Sequence, residues 1–425
     1  MQIAETIRFA GDINIDYIIL GNSKGFGQNI SNQVFNISIF EDLFAPFITG
    51  KITVSDSLDL TNIFPMVGDE FLDLSVRTPT YNLAGKIIQG RYYVYKMSER
   101  EQLNPGTYVY VLHFISVEAV VDVNKKMSRS FSGKVSDIAK TLITTSVGLN
   151  SQKDLNLDET LNGTKFTSNY WNPVKCINYA TTNAQSFAGT PDYLFFENRI
   201  GFNFLSMETL YSQDVYQNFV ADNYVRDSSP TGGSFVNIGE SYRRVTDFSI
   251  GNGFDYINNI RSGMYGNKTI SWDFVTKKYV SKNYNTLEDF NNSKHLGVFP
   301  IIAKNSISTS NGMILNVTKD NANFNGYDDV TNTKTMGRRL ALFSSLDVYK
   351  ITIEVRGRTD YSVGQKVGLR LYKTTQITAE NDDNIDKLYS GNYIIAAIHH
   401  KITRDSHACS LELIKESLDF DINRK

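Results

Sequence analysis

The chain has 425 residues, with 43 Lys+Arg against 45 Asp+Glu and a net charge of −2. That balance excludes the bulk positive field of a dedicated nucleic-acid binder and the acidic excess of a solvating tail, and two cysteines in so long a chain make no disulfide framework. No apolar run nears the roughly 18 residues that cross a bilayer, and the start MQIAETIRFA lacks a secretory leader, so the expectation is a chain made in a reducing cytoplasm with no membrane insertion.

Aromatics supply 24 Tyr and 26 Phe against only 8 Pro, a composition that fits pleated, half-buried surfaces and favours a mainly β architecture. From residue 33 to 117 a period of two dominates. Phe35, Ile37 and Ile39 share one face of VFNISIF; Ile48, Ile52 and Val54 share one face of the next strand; Leu72, Leu74 and Val76 share one face of EFLDLSVRT. RYYVYKMS and TYVYVLHFISVE are apolar or aromatic on both faces and flank the turn signal NPG at 104–106. Residues 1–118 therefore read as a small antiparallel sandwich or barrel.

The period then changes. KVSDIAKTLITTSVG predicts a helix capped by Ser136, burying Val135, Ile138 and Leu142 and ending at Gly148; NPVKCINYATTNAQS predicts one with Asn172 as cap, Pro173 first, and Val174, Ile177 and Ala184 inward. Cys176 lies inside that helix. DYLFFENRIGFNFLS reads as a hairpin turning at Glu197 to Gly201, so residues 119–210 form an α+β module. Residues 211–235, with SSPTGG at 228–233, read as a linker, and 286–345 as an insertion or small extra domain. Strands at 236–285 and 346–418 together make a second, discontinuous β-domain, and 419–425 a tail. The polar stretch NDDN at 381–384 reads as a loop, and TMGRRLALFSSL as a helix burying Met336, Leu340 and Phe343.

The segment GNYIIAAIHHKITRDSHACSLELI, 391–414, gathers three of five histidines and one cysteine. Pairing its two strands about a loop at Asp405 and Ser406 puts Ile394, Ile398, His400 and Ile402 on the face of His407, Cys409, Leu411 and Leu413, with His399 opposite beside Lys401. In that register Cys409 faces Ile402 and His400 faces Leu411. No tight cluster forms, and an ordinary sheet face is expected rather than a metal site.

Other chemistry is equally sparse. GNSKGFGQ at 21–28 and GNG at 251–253 lack the spacing of nucleotide loops and read as turns. His113 alternates with Val109, Val111 and Ile115 as a core or interface residue, and His295 stands without a nearby nucleophile. The adjacent carboxylates Glu41 and Asp42, and Asp382 and Asp383, read as surface or turn chemistry; the pairs Arg243-Arg244 and Arg338-Arg339 read as solvated flanks. The expectation is no catalytic, cofactor-binding or metal residue, no cofactor, and no enzyme.

ISIFEDLFAPFITGKITVSDSLDLTNIFPMVGDEFLDLSVRTP, residues 37–79, resembles the opening barrel of the central baseplate hub proteins of contractile-tailed bacteriophages. FSGKVSDIAKTLI, NPVKCINYATTNAQS with DYLFFENRIGFNFLSMETL, and RRLALFSSLDVYKITIEVRGRTDYSVGQKVGLRLY with SGNYIIAAIHHKITRD resemble later parts of that family in the same order, over about residues 30–415. The resemblance implies two tail-tube-like antiparallel β-barrels or sandwiches per chain joined by an α+β domain. It implies a homotrimer that adapts a sixfold tail tube to a threefold central spike, with tube protein, a separate spike protein and baseplate wedge proteins as partners, genomic DNA passing through the ring, assembly in the host cytoplasm and residence in the virion. A hub of a phage-derived contractile injection particle is the near alternative. A carbohydrate- or receptor-binding β-protein, suggested by the Tyr and Phe content and long polar loops, is the more distant one.

Overall fold

The computed structural model describes residues 6–81, 84–221, 238–251, 255–272, 277–302, 313–318, 330–346, 348–373 and 385–422. The SSPTGG and NDDN segments, with Asp382 and Asp383, and the end of the GNG turn lie outside those residues.

The front of the chain contains β1 (Asn14–Asn22), β2 (Gly27–Asn29), β3 (Val34–Asp42), β4 (Thr49–Asp56), the short helix α1 (Leu60–Ile63), β5 (Glu70–Arg77), β6 (Ile88–Asn104) and β7 (Thr107–Ser116). They pair in the order β3-β4-β7-β6-β5-β1-β2 around one core that includes Ile37, Ile52, Val54, Leu72, Leu74, Val76, Tyr92 and Phe114. The alternation read from the sequence made this face, with one exception. Phe35 is 50% exposed because a bulge between Val34 and Asn36 turns Val34 inward in its place. A bulge between Ile15 and Tyr17 likewise shifts the phase of β1, hiding a core strand that bears Ile15, Ile18 and Leu20. The β6–β7 turn is Pro105-Gly106, and Gly106, at φ 85°, takes the left-handed conformation that the position after a turn proline favours.

Next come α2 (Val117–Asn124), β8 (Met127–Lys134), α3 (Val135–Thr144), β9 (Asp154–Leu157), β10 (Gly163–Trp171), α4 (Pro173–Asn183), β11 (Tyr193–Glu197), β12 (Gly201–Ser206) and α5 (Met207–Tyr211). Helix α3 starts one residue before Ser136 and ends at Thr144 rather than Gly148; Ser136 is not its cap, and its backbone N–H donates to Thr160 Oγ1 at 3.1 Å. Pro173 does open α4, but the cap oxygen is borrowed. Asp122 of α2 accepts from the Val174 N–H at 2.7 Å and from Asn172 Nδ2 at 2.5 Å, meeting the unsatisfied donor that helix starts expose. The hairpin β11–β12 turns where expected, and both its faces are buried. Tyr193, Phe195, Phe202 and Phe204 fill the core of this module. Leu194, Phe196 and Leu205 point into a second large core belonging to the rear of the chain.

That rear contains β13 (Gln217–Ala221), α6 (Ile238–Arg243), β14 (Val245–Ile250), α7 (Tyr256–Arg261), β15 (Gly266–Trp272), β16 (Tyr279–Asn285), α8 (Thr286–Asp289), β17 (Phe299–Pro300), β18 (Ile314–Thr318), α9 (Val330–Leu346), β19 (Tyr349–Arg356), β20 (Lys366–Leu371), β21 (Gly391–Ile402), β22 (His407–Lys415) and β23 (Ser417–Leu418). Strands β14, β19, β22 and β21 pair in that order, β20 pairs with β21 and β13 with β20, and a bridge from Val220 to Arg244 returns the path to the head of β14. Two sequence readings change here. Residues 217–221, inside the expected linker, are the strand β13, with Phe219 fully buried. The strands at 266–285 leave the second β-unit and form a separate three-stranded sheet with β18. Helix α9 packs on that sheet through Gly337, where an added Cβ would fall 2.2 Å from Asn267 Oδ1; Ala341 is buried, and Met336 faces outward.

The front and rear are not separate sheets. β21 pairs with β3 from Ile402↔Ile37 to Ala397↔Asp42, joining the seven front strands and β13, β14, β19, β20, β21 and β22 into one 13-stranded sheet. Tyr393 to Ile398 of β21 contribute to the rear core, and Ile402 to the front one.

Candidate functional site

Between those two contributions, on the face shared by Ile398 and Ile402, sits His400. The register of β21 and β22 is Ile402↔His407, His400↔Cys409 and Ile398↔Leu411. The turn therefore centres on Arg404 and Asp405, one residue earlier than the sequence suggested, which slides the pairing by two residues and leaves the faces unchanged. The Thr403 N–H donates to the Ser406 carbonyl at 2.8 Å inside the loop. A bulge at Ala396 moves Ile394 to the opposite face, and Ile395 takes its place across from Leu413. The slide brings three side chains together. His400 Nδ1 lies 3.0 Å from His407 Nε2, and Cys409 Sγ lies 3.3 Å from each. All three residues are at most 1% exposed.

Burial keeps the trio uncharged. It drives the His407 imidazole down to about 3, puts His400 well below the usual histidine range, with the His407 charge adding to the effect, and pushes the Cys409 thiol up. The backbone around His407 is clamped on both sides. Its N–H donates to the Gly11 carbonyl at 2.7 Å, and its carbonyl accepts from the Gly357 N–H at 2.8 Å. Only glycine fits at 357, since a Cβ there would meet the His407 ring at 2.3 Å.

A second polar constellation lies where the front, module and rear meet. Glu41, read from the sequence as surface chemistry, is 1% exposed because pairing with β21 places it under the 362–363 loop. It accepts from Ser362 Oγ at 3.1 Å, the Val363 N–H at 3.2 Å and the Arg199 N–H at 3.2 Å. Burial raises its carboxyl to about 7, against the pull of those donors and of the Arg199 charge. Arg199, at the tip of the β11–β12 hairpin, donates to the carbonyls of Gly85, Asp360 and Tyr361. Lys153 bridges Glu118 at 2.7 Å and Glu197 at 2.6 Å, while the other Glu197 oxygen takes the Ile48 N–H at 3.0 Å. Three parts of the fold are held by buried charge-assisted contacts. Sequence offered no signal for them, since the partners lie up to 322 residues apart.

The remaining candidates are structural. His113 bonds Ser98 Oγ at 2.8 Å, His399 stacks on Phe40 at 4.3 Å, and His295 stacks on Phe290 at 3.8 Å. Burial lifts Cys176 to about 11 within α4. Arg338 and Arg339 are not solvated flanks: Arg338 pairs with Asp289 at 2.6 Å, and Arg339 donates to the carbonyls of Pro191 and Tyr193, docking α9 on the module. The groove beside α5 is lined by Asp158, Glu159 and Glu208. Its inner carboxylates serve as acceptors, Asp158 for Ser206 and Thr209, and Glu208 for Ser186, Thr190 and the Lys294 N–H. Of the aromatic strands, Tyr92, Tyr110 and Phe114 fill the front core, while Tyr95 faces outward at 54% exposure.

No protein-family model matches the chain. The probable baseplate hub protein gp334 of Vibrio phage KVP40 is 19% identical over 402 residues, covering 92% of each chain. Among solved structures, the tail protein from Neisseria meningitidis MC58 superposes with a TM-score of 0.56 at 10% identity, over 94% of this chain and 96% of its own. The 43 kDa tail protein of prophage MuSo2 from Shewanella oneidensis does so with a TM-score of 0.54 at 10% identity, over 96% and 100%. The two superpositions share the fold along nearly the whole chain, and gp334 has detectable sequence similarity over a comparable extent. In sequence the chain is similar to a phage baseplate hub protein, and in fold it is similar to phage tail proteins.

Proposed function

We propose that the chain assembles as a homotrimeric ring that adapts a sixfold tail tube to a threefold central spike. Each copy would present two tail-tube-like β-units, the front one within residues 1–118 and the rear one built from 217–221, 245–250 and 346–418, so that three copies offer six similar faces. The observation that carries this reading is the pair of large β-cores, one lined by front strands and one by rear strands, within one sheet. The module spanning 119–210 braces both. In this reading the partners are the tube protein above, a separate spike protein below, and wedge proteins outside; genomic DNA would pass through the ring without sequence-specific contacts. Edge strands that a closed ring covers would also be withdrawn from aberrant pairing.

Native mass measurement of the purified chain, alone and mixed with tube or spike protein, tests it. The expected result is a species of three chains, or one that forms on adding either partner, with two equivalent tube-contacting units per chain visible in images of the complex. A chain that stays monomeric and binds neither partner overturns the reading.

A further inference from the structure

His400, His407 and Cys409 converge more closely than packing requires. Their inward atoms make a triangle with sides of 3.0, 3.3 and 3.3 Å, whose centre is about 1.9 Å from each corner, near the 2.0–2.3 Å of metal–imidazole and metal–thiolate bonds. We propose that these three residues bind a thiophilic d10 cation, copper(I) or zinc(II), that pins the β21–β22 hairpin at the seam between the two β-cores. Two imidazoles and one thiolate are a donor set suited to either ion. Copper(I) is satisfied by three ligands and leaves a neutral complex with the thiolate. Zinc(II) calls for a fourth donor, and among the described residues no further His, Cys, Asp or Glu side chain joins the group.

The donors are pre-positioned. His400 and Cys409 are directly opposed across the ladder, and His407 is two residues from Cys409 on the same face. Gly11 and Gly357 fix the backbone of His407, and Gly357 leaves room for its ring. Binding is balanced by one proton. The Cys409 thiol proton leaves to solvent as the sulfur–metal bond forms, and each ring places its remaining proton on the outer nitrogen, His400 Nε2 or His407 Nδ1. A purely hydrogen-bonded trio is the competing state. The metal-bound state leaves both outer ring N–H groups, and the hydrogen-bonded trio one, without an acceptor among the described residues, so the convergence of the three donor atoms, not the outer nitrogens, carries the proposal. Complete burial also means that the ion enters while the hairpin is still open, during folding, and exchanges slowly afterwards.

The test is refolding of the full chain with cobalt(II), zinc(II) or copper(I), followed by removal of loose metal, elemental analysis and an absorption spectrum. The expected result is about one equivalent per chain. Cobalt(II) should give a thiolate-to-metal charge-transfer band, and the relative uptake of zinc(II) and copper(I) from an equimolar mixture identifies the preferred ion. Cys409→Ser should lose the band and weaken binding at least about tenfold, whereas Cys176→Ser, in the module core, should keep both. Should Cys409→Ser fail to fold, His407→Gln read by the same spectrum replaces it. Wild-type chain that refolds with a cooperative melt but retains none of the three metals overturns the proposal and leaves a hydrogen-bonded trio. A band that survives both Cys409→Ser and His407→Gln overturns it too.

Discussion

The Glu41 carboxylate accepts the backbone N–H of Val363 at 3.2 Å across 322 residues of sequence. This bond ties the end of a front strand to a rear loop in a place that water does not reach. With its carboxyl raised to about 7 by burial, folded chain holds a proton on Glu41 where unfolded chain, with a glutamate near 4.5, has released it. Stability should therefore fall between about pH 4.5 and 7, by roughly 1.4 kcal/mol per pH unit and about 3 kcal/mol in all, then level off. Glu41→Gln, uncharged throughout, should remove that part of the slope. Denaturant midpoints of both proteins at pH 5, 6, 7 and 8 check it; parallel profiles would show that Glu41 does not titrate in this window.

Lys153 separates two carboxylates that have little water. Lys153→Met leaves Glu197, 2% exposed, beside Glu118 with no cation between them, and should cost about 3 kcal/mol at pH 8. Since burial already raises the Glu197 carboxyl, acidification to pH 5 should recover part of the loss by protonating it. Thermal melts of the variant and the parent at both pH values measure the difference; an equal deficit at both would point to lost packing instead of stranded charge.

Gly50 lets β4 lie flat under an aromatic ring. A Cβ there would fall 2.2 Å from the Phe114 ring and 2.6 Å from the Ser38 carbonyl. Gly50→Ala should destabilise by about 2 kcal/mol. Adding Phe114→Leu should relieve the first clash and not the second, so the double variant should be more stable than the summed single effects by about 1 kcal/mol. Additive losses in a double-mutant cycle would mean that the backbone contact dominates.

Arg199 joins a hairpin tip to two other parts of the fold through carbonyls that no shorter side chain can reach. Arg199→Ala should cost about 2 kcal/mol and speed amide hydrogen exchange in residues 358–363 relative to the front core. Unchanged exchange in that loop would show that Glu41 and Gln365 suffice to hold it, Gln365 also contacting Asp360 and Ser362.

Much of the fold was legible because a period of two survives in the strands that bury one face. Leu72, Leu74 and Val76 lie inward as their spacing requires, and the turns at Pro105-Gly106 and Glu197 to Gly201 fall where glycine and proline put them. The misreadings share a physical cause. Bulges at Val34–Asn36, Ile15–Tyr17 and Ala396 reset the phase of a strand without leaving a mark in its composition. β13 is five residues long and sits in a polar neighbourhood, so its parallel pairing with β20 depends on partners about 150 residues away. The His–Cys group turned on a single residue of loop placement, which local sequence states weakly. Glu41, Arg199 and Lys153 were invisible as a set, since nothing in a linear sequence marks which carboxylate a distant loop will cover.

One strand, β21, answers to both large cores, lending Tyr393 to Ile398 to one and Ile402 to the other. A molecule built this way has no joint at its waist. Parting the two ends therefore means breaking the antiparallel ladder from Ala397↔Asp42 to Ile402↔Ile37 and exposing apolar side chains on both sides of it.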